Sequence, residues 1–138
     1  MPAPDFLDTN VLLYGYDVTH AGKQRVARDL IRKALLGEMV ISSQVLAEFA
    51  STLLHKLSPH ARPKDVIALL DALGPIKLIA TDGDTVRRAV EARDEYGLHL
   101  YDGMIVAAAE RAGCKRIWSE DLNAGQKYFG IVVENPFN

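Results

Sequence analysis

Short apolar runs alternate with longer stretches of helical periodicity along the whole chain, and this alternation limits the fold more than any other feature. Phe6-Leu7 leads into Asp8-Thr9-Asn10, a turn-forming cluster, and a short helix through Val11, Leu12, Leu13 and Tyr14 follows. Residues 21–36 read as an amphipathic helix, with Val26, Ala27, Leu30, Ile31, Ala34 and Leu35 at spacings of three and four. Met39-Val40-Ile41 is a strand, and Ser42 or Ser43 then caps a helix carrying Val45, Leu46, Phe49, Ala50, Leu53 and Leu54. Pro59 and Pro63 interrupt the pattern before a helix from Val66 to Leu73 that ends at Gly74-Pro75. A strand at 76–80 precedes a helix capped by Thr81 or Asp82, with Val86, Ala89 and Val90 on one face and Gly97 as its stop. Ile105, Val106, Ala108, Ala109 and Ala112 form a small-residue helical face, and Lys115–Trp118 and Ile131–Val133 are the last strands.

Strands that alternate with helices predict a parallel sheet with helices on its faces and right-handed crossovers. The expected architecture is α/β: a three-layer α/β/α domain spanning 1–138, with a mostly parallel sheet of about five short strands. Ligands of such sheets sit at the carboxyl ends of the strands. Asp8 follows the first strand and Asp121 the fourth, which places both on that edge. Asp102 stands at the start of a helix, and Glu48 lies about one turn into the helix after the second strand, beside its apolar stripe. Each acid has an ordinary structural role open to it. Asp8 can cap a helix, Asp102 can favour a helix dipole, and Asp121 and Glu48 can be solvated. Four converging carboxylates require a countercharge, and oxygen donors without a Cys or His set suit Mg²⁺ or Mn²⁺ rather than zinc. Such a site fits metal-assisted hydrolysis of a phosphodiester.

Charge bears on the same point. Sixteen Lys and Arg face eighteen Asp and Glu, a net charge of −2, which excludes a grip on nucleic acid by a broad positive field alone. Without the four acids, the sixteen bases face fourteen acids, so a mildly basic body surrounds an acidic site. Cys114 is the only cysteine, so no internal disulfide forms, as expected of a cytoplasmic protein. The start Met1-Pro2-Ala3-Pro4-Asp5 lacks the basic and apolar regions of a signal peptide, and no apolar run reaches the roughly 18 residues of a membrane span.

Asp8-Thr9-Asn10, Glu48 within Ser43-Gln-Val-Leu-Ala-Glu48-Phe49, the run Tyr101-Asp102-Gly-Met-Ile-Val-Ala-Ala-Ala, and Ser119-Glu-Asp121-Leu together resemble the PIN-domain ribonucleases. Within that family the likeness is to VapC-type toxins of bacterial toxin–antitoxin pairs, and it extends to Asn135-Pro136-Phe137. The resemblance implies a Mg²⁺- or Mn²⁺-dependent endoribonuclease acting on structured RNA such as tRNA or ribosomal RNA. Asp8, Glu48, Asp102 and Asp121 would be its metal-binding and catalytic acids. Asp8, Asp102 and Asp121 would chiefly hold metal, and Glu48 would bind it or deprotonate the attacking water. Cleavage would leave 5′-phosphate and 3′-hydroxyl ends. Thr9 and Ser119 match supporting hydroxyl positions, and Asn10 ends the first motif. Glu120 adds an acid beside Asp121, and Asn123 stands where some relatives carry a further one. Partners implied are a second copy of the chain and a small VapB-like antitoxin whose Arg competes with the metal.

The basic residues are spread: Arg25, Arg28, Arg32 and Lys33 on one helix, Arg62 and Lys64 near another, then Arg87, Arg88 and Arg93, and Lys115-Arg116. Solvated faces and ordinary ion pairs account for most such residues, and some contact phosphates. His20, His55, His60 and His99 lack ligand spacing. Cys114 and Trp118 read as packed residues. A phosphorylatable receiver domain would need adjacent acids after the first strand and a Lys after the last, and this chain has neither. A binding protein on the same fold would have no use for four intact acids. A PIN nuclease of RNA processing without an antitoxin would carry the same site.

Overall fold

Phe6 and Leu7 have no exposed surface, and they form the centre of the sheet as β1 (Asp5–Leu7). In the computed structural model, which describes residues 2–138, β1 pairs in parallel with β2 (Met39–Ser42) on one side and β4 (Arg116–Trp118) on the other. Met1 lies outside the described residues. β3 (Lys77–Ile79) extends the sheet beyond β2, and β6 (Ile131–Glu134) extends it beyond β4, both in parallel. The order is β3-β2-β1-β4-β6-β5, so the direction of winding reverses between β1 and β4.

The sixth strand, β5 (Lys127–Tyr128), was not anticipated. It pairs antiparallel with β6 across a tight turn at Phe129-Gly130, where both residues have positive φ, 50° and 81°. Two residues are too few to show a period, so the pattern of the sequence does not reveal this strand.

β2 is buried along its whole length, as expected of a parallel strand covered on both faces. The helices are α1 (Thr9–Tyr14), α2 (Ala21–Leu35), α3 (Ser43–His55), α4 (Pro63–Ala72), α5 (Gly83–Tyr96) and α6 (Leu100–Arg111). α1 packs on α2 and α3, and α3 on α4, while α6 lies on β2, β4 and β6 with α5 against it. The capping signals hold. The Ser42 hydroxyl accepts from Val45 N–H at 3.3 Å, and Asp82 with Thr85 forms a capping box on α5. Gly97 ends α5 in the left-handed conformation at φ 72°.

The packed face of α5 differs from the expected one. Ala89 is buried as expected, but Val86 and Val90 are exposed, and Thr85 and Ala92 are buried in their place. The reason is the closeness of α6. A Cβ on Gly103 would stand 2.8 Å from the Ala89 carbonyl oxygen, so only small side chains fit between the two helices. Gly103→Ala should therefore lower stability by about 1–3 kcal/mol. A thermal melt checks this, and an unchanged midpoint would contradict the packing described. Val26 and Leu35 likewise lie at the margin of α2, whose buried face is Ala27, Leu30, Ile31 and Ala34.

Candidate functional site

The β1–β4 pairing continues one residue beyond β1, because Asp8 N–H donates to the Trp118 carbonyl at 3.0 Å. Asp8 and Ser119 therefore emerge side by side where the sheet changes direction, the place where ligands of such sheets bind. Asp8 is the N-cap of α1, so its capping role and its site role coexist. Its Oδ1 accepts from Thr9 N–H at 2.7 Å, and its Oδ2 accepts from the Ser119 hydroxyl at 2.8 Å. The Ser119 Oγ also accepts from Asp121 N–H and Leu122 N–H, both at 3.2 Å, which shapes the loop after β4. Asn10 completes this half. Its amide donates to Asp121 Oδ2 at 3.1 Å, and its Oδ1 accepts from Glu120 N–H at 3.0 Å.

Glu48 and Asp102 form the other half. Glu48 is in the second turn of α3 and Asp102 in the first turn of α6. Gln44, four residues before Glu48, joins them: its Nε2 donates to Glu48 Oε1 at 2.9 Å and to the Tyr101 carbonyl at 3.0 Å. His99 caps α6 next to Asp102, with its Nδ1 accepting from Tyr101 N–H at 3.3 Å.

The electrostatics tie the two halves together. Burial, partly offset by the hydrogen bonds from Ser119 and Thr9, pushes the Asp8 carboxyl up to about 6, and the charges of Glu48 and Asp121 push the same way. Glu48 is raised by burial and by Asp102, while Gln44 and Lys56 oppose the shift. Asp102 is raised by burial and, more weakly, by Asp121, against the opposing pull of His99. Among the described residues none of the four acids has a Lys, Arg or His within 4.0 Å. The neighbouring acid Glu120 is different. Lys23 holds it at 2.6 Å and the Tyr14 hydroxyl at 2.7 Å, so it is committed to structure.

Among the described residues no three His, Cys, Asp or Glu side chains close into a ready-made metal cage. The acids repel one another across both halves of the site without closing around one point. An all-carboxylate donor set, in ion-pair contact with no cation among the described residues, is nevertheless chemically matched to a hard divalent ion. Thr9 supplies a further oxygen, since its Oγ1 is buried without a partner and the residue lines the cavity beside Glu48 and Asp121. The residues present thus fit such an ion.

Gln44, the Lys23–Glu120–Tyr14 cluster and Lys56 escaped the sequence reading. The four-residue spacing of Gln44 and Glu48 is a legible signal, whereas Lys23 and Glu120 meet across most of the chain. Five of the eleven basic residues named above form ion pairs: Arg32 and Lys33 with Asp29, Arg62 with Asp65, Arg88 with Glu91 and Glu110, and Arg116 with Asp5 and Glu134. Cys114 is buried, and the Trp118 indole donates to Asp5 at 3.0 Å.

Comparison with known proteins bears directly on this arrangement. No curated protein sequence matches the chain. A toxin–antitoxin complex from Klebsiella pneumoniae contains a similar chain, with TM-score 0.72 and 21% identity over 96% of this chain and 97% of that one. A DNA-bound VapBC from Salmonella typhimurium gives TM-score 0.68 and 19% identity over 98% and 99%. A sarcin–ricin loop cleaving VapC toxin from Mycobacterium tuberculosis gives TM-score 0.61 and 18% identity over 85% and 91%. No helix among the described residues is long and apolar enough to cross a membrane. The family model for the PIN domain matches residues 6–129, which takes in every helix and, Asp5 aside, all strands but β6, and on that match the chain belongs to the PIN-domain family.

Proposed function

We propose that the chain is a divalent-metal-dependent endoribonuclease and acts as the toxin of a type II toxin–antitoxin pair. The observation that carries this reading is the set of four carboxylates, unpaired with any cation, around the carboxyl edge of β1 and β4. Asp8, Asp102 and Asp121 would hold Mg²⁺ or Mn²⁺, with Ser119, Asn10 and Thr9 supporting the first and last of these acids. Bound there, the ion would supply a Lewis acid that activates water and neutralises charge on the phosphoryl oxygens. Glu48 is exposed on the cavity wall and has a raised proton affinity, which suits it to accept the proton of an attacking water. Gln44 orients that carboxylate by holding one of its oxygens.

The toxin role draws support from the company the fold keeps, since the similar chains come from toxin–antitoxin complexes and one of them cleaves the sarcin–ricin loop. A small antitoxin, a second copy of the chain and a structured RNA, tRNA or ribosomal, are the partners of this reading, in the cytoplasm. Brief induction in cells, followed by mapping of RNA ends, tests it. New discrete 5′-phosphate ends are expected with the native chain and not with Asp102→Ala. An RNA end profile that induction leaves unchanged would overturn the reading.

A further inference from the structure

The cavity that holds Glu48 and Asp121 extends beyond them. It encloses about 240 Å³, and past the acids its wall is made by Leu13 of α1 and by Ser51, Thr52 and Lys56. Glu48, Thr52 and Lys56 recur every four residues, so they follow one face of α3 to the residue that ends it. Lys56 is exposed, and among the described residues no carboxylate lies within 4.0 Å of its ammonium. Lys23 and Lys33, by contrast, are tied to Glu120 and Asp29.

An unpaired cation on a wall shared with carboxylates calls for a ligand. Its charge weakly favours ionised Glu48, yet the two form no ion pair, so the ammonium keeps its capacity for a further ligand. Eight residues of helix separate Glu48 from Lys56, a rise of about 12 Å, and helical side chains lean back toward the N-terminus, which brings the ammonium nearer the acids. An RNA strand laid over the acids is repelled by them along its length. A flexible ammonium with two hydroxyls beside it offers the next phosphate what it needs: positive charge and hydrogen-bond donors.

We infer that Lys56, together with the Ser51 and Thr52 hydroxyls, is a binding subsite for an RNA phosphate adjacent to the one being cut. The inference rests on the nuclease reading above and adds a determinant of affinity and register to it. The probe is a stem–loop RNA oligonucleotide with a single-stranded loop, studied with Mg²⁺ over a salt series. With Lys56→Ala, KM rises roughly tenfold and kcat falls by a smaller factor. The slope of log affinity against log salt shrinks by about 0.7, as for one lost phosphate contact on a single strand. Lys56→Arg recovers most of the affinity, which a role in packing alone would not explain. The affinity of the same oligonucleotide for Asp102→Ala, with and without Lys56→Ala, is measured by fluorescence anisotropy and falls by a similar factor. Unchanged KM, salt slope and affinity in Lys56→Ala would overturn the subsite while cleavage by the native chain leaves the nuclease reading intact. A native chain that cuts no RNA would overturn the nuclease reading and the register assigned to the subsite, while a loss of affinity and salt slope with Lys56→Ala would still support an RNA phosphate at Lys56.

Discussion

Cleavage by the Asp8→Ala and Asp102→Ala proteins falls at least about a thousandfold, and EDTA does the same to the native chain until Mg²⁺ is restored in excess. A loss of that size corresponds to about 4 kcal/mol of transition-state stabilisation, the scale expected when a charged ligand is removed from a metal-assisted reaction. The fold survives both changes. Asp8→Ala removes a helix cap worth about 1 kcal/mol, but it also removes a buried carboxyl that burial disfavours in its charged form. The Ser119 hydroxyl loses its acceptor yet keeps the Asp121 and Leu122 N–H groups that shape the loop. Asp102→Ala removes a first-turn acid worth about 0.3–1 kcal/mol to its helix. Circular dichroism should show cooperative melting for both variants. Undiminished cleavage by either would overturn the assignment of these acids and point to a contaminating nuclease.

The metal-free protein loses stability as pH rises from about 4 to about 6, and the loss levels off above that range. In the folded chain the Asp8 carboxyl sits near 6, against an ordinary value of 3.8. Between these values the native state holds a proton that the unfolded state has released, so stability decreases with pH across this window. The full effect of Asp8 is roughly 3 kcal/mol. Glu48 and Asp102 are raised as well and act in the same direction. Asp82, held down to about 2 by Arg111, titrates below the window. Comparison with Asp8→Asn isolates the contribution of Asp8, since the asparagine carries no titrating proton and its curve should be flatter by that amount. Saturating Mg²⁺ should also flatten or reverse the slope, because the ion favours the ionised carboxylates. Denaturant titrations at several pH values in EDTA measure this. Parallel curves for the native and Asp8→Asn chains would show that Asp8 is not held in the protonated form.

The elements long enough to show a period were legible in the sequence, and so was the edge on which the site lies. Asp8 and Asp121 could be placed together because parallel strands bring their carboxyl ends to one border, whatever the distance between them in sequence. Glu48 and Asp102 were legible only through helix starts and family likeness, because the orientation of α3 against α6 is set by packing. On α5 the sequence pattern reveals Ala89 but not Ala92 or Thr85, because hydropathy ranks Val86 and Val90 higher, whereas the close approach at Gly103 selects for small size. The ion pair of Lys23 with Glu120 could not be read at all. It exists because α2 and the loop after β4 are brought together by the tertiary fold, and neither residue's local sequence encodes the other.

The two borders of the sheet have a consequence for how the protein behaves at high concentration. Strand addition between molecules needs a long, flat, unpaired border, and neither edge provides one. β3 is three residues long and begins with the exposed Lys77, and β5 is two residues long and begins with the exposed Lys127. A foreign strand would find two or three backbone positions to pair with and a positive charge beside them. Beyond β5 the chain turns at once through positive φ, which bends the border away from any straight template. Fibrous, edge-to-edge aggregation is thereby disfavoured by the geometry of the last hairpin, a property unconnected with the chemistry at the carboxyl ends of β1 and β4.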